Sequence, residues 1–73
     1  MEHKIVEIIS KVTKIPVSDL EAQKDERNLW DSLKHMEIVI SLEEEFDITF
    51  ENDDIANAKT VSAVIQIVKD KAE

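Results

Sequence analysis

Apolar side chains recur along the first segment at Ile5, Ile8, Ile9 and Val12, with Glu2, Lys4, Glu7 and Lys11 on the rest of the wheel. An α-helix repeats about every 3.6 residues, so this spacing predicts a helix with one buried stripe. Pro16 breaks the pattern, because the residue before a proline is biased away from helix. Ser18-Asp19 could start a short helical turn, and the polar stretch from Glu21 to Asn28 reads as a long loop pinned by Leu20 and Leu29. Asp31 and Ser32 are both suited to cap a helix N-terminus, since their side-chain oxygens accept free backbone N–H groups. A second helix runs from there to about Phe46. Val39, Leu42, Phe46 and His35 share one side, Lys34, Glu37, Ser41 and Glu44 the other, with Met36 and Ile40 between the faces.

An extended link carries Ile48 and Phe50, and Asn52, Asp53 and Asp54 can cap a short third helix bearing Ile55 and Ala58. Thr60 is placed to cap the last helix, whose stripe is Val61, Val64, Ile65 and Val68. Val and Ile also favour strands, but the 61, 64, 65, 68 spacing is helical. The pattern predicts one all-α domain over residues 1–73. It is a small four-helix bundle of three main helices and one short one, with a long first loop.

Composition narrows what such a bundle can do. A chain of 73 residues buries only about 60% of its unfolded surface, which leaves little room for an enclosed pocket. That favours a binding or carrier module over an enzyme. With no cysteine and no glycine, disulfides, thiolate metal sites, phosphate loops and nucleophile elbows are excluded. Seventeen acidic against nine basic side chains give a net charge of -8. Nucleic acid and anionic membrane surfaces are repelled, and proteins with basic patches become the natural partners. No apolar run is long enough to span a bilayer, and the N-terminus lacks a basic segment followed by a long apolar one. A cytoplasmic monomer is the expectation.

The run Trp30-Asp31-Ser32-Leu33, then Met36-Glu37-Ile38-Val39, then Leu42-Glu43-Glu44-Glu45-Phe46-Asp47-Ile48 resembles the second-helix signature of acyl carrier proteins. Thr60-Val61 before an apolar helix is similar to the start of that family's final helix. The resemblance implies that a phosphopantetheinyl transferase moves 4'-phosphopantetheine from coenzyme A onto Ser32, and that the arm's thiol carries an acyl group as a thioester. It implies that Asp31 and Leu33 flank the attachment site. Met36, Glu37, Glu43 and Glu44 match positions that meet acyl-loading and acyl-transferring enzymes. On the wheel alone, Met36 and Ile40 beside the Glu37–Glu44 stripe form a small apolar patch rimmed by acid, suited to transient docking. A serine at a helix N-terminus also sets its phosphodiester against free N–H groups and the positive end of the helix dipole. Trp30, Lys34, His35, Asp47 and Glu51 depart from the family pattern, which leaves fatty acid, polyketide and more specialised pathways open.

Blander readings stand beside this one. Ser32 can be a helix cap alone, the acidic stripe a solvated face, and Trp30 an anchor for the loop. His35 three residues after Ser32 suggests a hydrolase, but that chemistry needs a base, an orienting group and oxyanion donors in a closed site, and this chain lacks glycine and is too small to build one. His35 reads as a packed, partly buried side chain. Asp47, Thr49, Glu51, Asp53 and Asp54 do not make an EF-hand, because Asn52 and Ala58 occupy the positions that need glycine and glutamate. The alternatives to an acyl carrier are an aminoacyl or peptidyl carrier, D-alanyl for example, and an unmodified acidic adaptor.

Overall fold

The computed structural model describes residues 2–72. Its helices are α1 (Glu2–Thr13), α2 (Val17–Ala22), α3 (Ser32–Phe46), α4 (Asn52–Asn57) and α5 (Val61–Ala72), with no strand among the described residues. The three long helices α1, α3 and α5 pack on one another and enclose one apolar core. α1 contributes Ile5, Val6 and Ile9, α3 contributes Ile38, Val39 and Leu42, and α5 contributes Val61, Val64, Ile65 and Val68. All four positions of the expected α5 stripe are buried. Ile8 and Val12, expected on the α1 stripe, are only partly buried, while Val6 is buried in their stead.

The first loop is more ordered than its polar sequence suggests. α2 takes up its beginning, starting at Val17 rather than Ser18 and absorbing Glu21 and Ala22. A six-residue helix is too short to stand alone. It persists here because Leu20 is fully buried against the core. Farther along, the Lys24 carbonyl accepts the Ser62 N–H at 3.0 Å, which ties the loop to the first turn of α5.

In a chain without glycine, other residues make the left-handed turns: Lys14, Asn28 and Asp47 have φ of 67°, 63° and 54°. Asn and Asp tolerate this conformation better than most side chains. Asp47 closes α3, and the Ile48 N–H returns to the Glu43 carbonyl at 3.2 Å, satisfying an otherwise free end group. The residue capping α4 is Glu51, where Asn52, Asp53 or Asp54 was expected. Asp54 instead reaches back from inside the helix and accepts the Glu51 N–H at 2.9 Å.

Candidate functional site

The start of α3 separates two jobs that either Asp31 or Ser32 could do. Asp31 is the N-cap, with extended backbone, and its carboxylate accepts the Lys34 N–H at 2.9 Å. The Asp31 carbonyl accepts the His35 N–H, also at 2.9 Å. Ser32 is therefore the first helical residue and is relieved of capping. It is exposed, and its hydroxyl has no hydrogen-bond partner among the described residues. The backbone N–H groups of Ser32 and Leu33 are likewise unpartnered there, as expected for the first positions of a helix. A free hydroxyl beside free N–H donors and the positive end of a fifteen-residue helix suits a phosphate ester.

Behind Ser32 the backbone turns at Asn28, and the half-buried Trp30 leans on the first turn of α3. Its indole N–H donates to His35 Nδ1 at 3.0 Å, and the two rings stack with centroids 6.4 Å apart. The indole can only donate, so Nδ1 must accept, and the proton of the neutral ring sits on Nε2. Nε2 then donates to the Ile55 carbonyl, 2.9 Å away on α4. His35 is thus a link between loop, α3 and α4. It makes no contact with Ser32 of the kind a catalytic base would need.

Trp30, Ser32, His35, Met36 and Ile55 are among the residues that line an open recess of 490 Å³. That volume falls within the range of small-molecule sites, roughly 300–1,000 Å³. The recess lies on the surface between the loop, α3 and α4, which explains how a thin-cored domain can provide it.

Along α3 the apolar residues outside the core form an exposed row: Leu33 is 70% exposed, Ile40 50% and Met36 43%. Glu37 and Glu44 are exposed on the same helix, and Glu37 meets Lys34 at 3.8 Å. Glu43 differs from them. Its side chain is half-buried, and one oxygen accepts the Phe50 N–H at 2.8 Å, fixing the link between α3 and α4. The family resemblance grouped it with the partner-facing acids and carried no sign of this internal partner. The Trp30–His35–Ile55 chain was also beyond sequence reading, since its ends are brought together only by the fold.

At the outer edge of α4, Lys71 meets Asp54 at 2.7 Å, both side chains being about three-quarters buried. The hydrogen bond from Lys71, together with that from the Glu51 N–H, holds the Asp54 carboxyl below its ordinary value, against the opposing effect of desolvation. Among the described residues no helix is long and apolar enough to cross a membrane.

Comparison with known proteins agrees with this geometry. Residues 3–68 match the family model described as "Phosphopantetheine attachment site". The chain is 34% identical over 67 residues to an acyl carrier protein of Acidothermus cellulolyticus, an alignment covering 88% of this chain and 79% of that protein. It is 46% identical over 39 residues to an acyl carrier protein of Exiguobacterium sibiricum, covering 53% of this chain and 49% of that one. Membership implies 4'-phosphopantetheine as the prosthetic group and a carrier role without catalysis of its own. The chain belongs to the phosphopantetheine-binding carrier protein family.

Proposed function

We propose that Ser32 carries the 4'-phosphopantetheine arm and that the protein presents acyl groups, held as thioesters on that arm, to partner enzymes. The observation that carries this reading is the division of labour at α3: Asp31 caps the helix, and the Ser32 hydroxyl is left exposed and unpartnered at its first position. In the transfer, Ser32 Oγ attacks the pantetheine-side phosphorus of coenzyme A. An Oγ–P bond forms, the pyrophosphate P–O bond breaks, 3',5'-ADP leaves, and the hydroxyl proton passes to a base of the transferase. Asp31 and Leu33 flank the point of attack. The unpartnered N–H groups of Ser32 and Leu33 are oriented to meet the resulting phosphodiester.

Leu33, Met36 and Ile40 with Glu37 and Glu44 form the partner face: an apolar strip with charge beside it, which favours fast, reversible docking of proteins with basic patches. Glu43, tied to Phe50, supports that face from within the α3–α4 link. The likeness to acyl carrier proteins supports acyl over aminoacyl cargo.

The test is the intact mass after incubation with coenzyme A, magnesium and a broad-specificity phosphopantetheinyl transferase, for wild type and Ser32→Ala. The expected result is a gain of one phosphopantetheine in the wild type and none in the variant. Because Ser32 caps nothing, the variant should keep its stability within about 0.5 kcal/mol. A folded, initially unmodified wild type that gains no mass would overturn the proposal.

A further inference from the structure

The recess beside Ser32 has a charge that runs against the rest of the molecule. Two basic side chains line it from separate segments, Arg27 from the first loop and Lys59 from just after α4. Neither belongs to an ion pair among the described residues, which is also true of Lys11, Lys14 and Lys24, while Lys4, Lys34, Lys69 and Lys71 are paired; Arg27 and Lys59 are the two that share a recess. The other titratable groups of the lining leave this positive charge uncompensated in part. Asp31 sets one carboxylate against the two cations, and the ring nitrogens of His35 are taken up by Trp30 and Ile55, so the lining stays positive on balance. The same lining includes the apolar side chains of Trp30, Met36 and Ile55.

In a protein of net charge -8, two free cations facing one partly apolar recess select for a ligand with an apolar body and an anionic end. The ligand that can always reach this recess is the arm on Ser32, which stands in its lining. We infer that the recess seats the end of the loaded arm and favours short acyl groups that terminate in a carboxylate, with Arg27 and Lys59 receiving that carboxylate. This inference rests on attachment at Ser32. The shared anionic chemistry has a second source, the phosphodiester of the arm itself, and the experiment separates the two.

The protein is loaded directly from coenzyme A, pentanoyl-coenzyme A and glutaryl-coenzyme A, giving the bare arm, a five-carbon acyl group and the same chain length ending in a carboxylate. Trp30, the chain's one tryptophan, stands in the wall and reports occupancy through its quenching by acrylamide. The expected result is quenching about threefold slower for the glutaryl form than for the pentanoyl form, the scale of two partly exposed ion pairs. The difference should disappear in Arg27→Gln/Lys59→Gln, whose exposed positions leave folding intact. Equal quenching of glutaryl and pentanoyl forms would overturn the inference, as would a difference that survives in the double variant. Equal protection by the bare arm would assign the cations to the phosphodiester and overturn cargo selection. Loading is read by mass in every sample. Failure to load would sink attachment at Ser32 and this inference with it, whereas loading without a quenching difference would sink the inference alone.

Discussion

α5 and α4 are neighbours in the chain, yet they are held to the body by different physics. α5 buries Val61, Val64, Ile65 and Val68, while α4 buries no residue within its span. Burying an aliphatic side chain fully is worth about 1.5–3 kcal/mol, so α5 is fixed by several kcal/mol of hydrocarbon contact. α4 depends on the His35–Ile55 hydrogen bond, the Asp54–Lys71 pair, the partly buried Ile55 against the core, and its flanking residues Phe50 and Ala58. A hydrogen bond contributes about 0.5–1.5 kcal/mol net, and an ion pair near the surface is screened by solvent and adds little. The side of the molecule that bears α4 therefore opens at less cost than α5. It is also the side that walls the recess beside Ser32. A firm frame and a yielding wall beside Ser32 are thus assigned to different helices.

The largest expected effect breaks the frame. Leu42 is fully buried on α3, and Leu42→Ala should cost about 2–5 kcal/mol, read by urea denaturation. Phosphopantetheine transfer per folded molecule should stay unchanged, because the geometry at Asp31 and Ser32 does not depend on that side chain.

A smaller effect separates α4 from the frame. His35→Phe keeps an aromatic ring beside Trp30 and removes both hydrogen bonds, for a loss of about 1–3 kcal/mol. Amide exchange should accelerate over Asn52–Asn57 far more than over Val61–Ala72. Equal acceleration of both helices would show that α4 and α5 open as one unit and erase the contrast.

The smallest effect sharpens it at the outer edge. The folded pKa of Asp54 is depressed, so its contribution is present above the unfolded value of about 3.9. It is lost as pH falls through the lower, folded value. The stability gap between wild type and Asp54→Asn should therefore be constant near neutrality and close in acid. In a Lys71→Met background much of that pH dependence should vanish, since Lys71 is the largest cause of the depression.

These contrasts also explain what was legible in the sequence. Periodicity reads hydrocarbon burial, so the α5 stripe and the half-exposed Met36 and Ile40 could be placed from spacing alone. It reads less where burial is not one-sided. Ile38 lies outside the stripe of Val39 and Leu42 yet is buried, because α3 packs against both α1 and α5. Polar tethers leave almost no periodic trace. The partners of His35 lie five and twenty residues away, and the Glu43 link to Phe50 looks in sequence like one more acid on a solvated face. α2 was half visible for a related reason: a single buried residue, Leu20, holds it in place. The family signature was readable because it is local. The freedom of Ser32 from capping was not, since Asp31 and Ser32 are equally competent caps and only the backbone at Asp31 decides between them.

That division at the start of α3 has a practical meaning for protein chemistry. Because Asp31 alone secures the helix end, position 32 tolerates replacement of its reacting atom without loss of the scaffold. The chain contains no cysteine, so Ser32→Cys would place a single thiol at the proposed attachment point of the arm. Spin labels, fluorophores or synthetic pantetheine mimics could then be attached there with complete site selectivity, turning the carrier into a display platform for cargoes that no biosynthetic enzyme supplies.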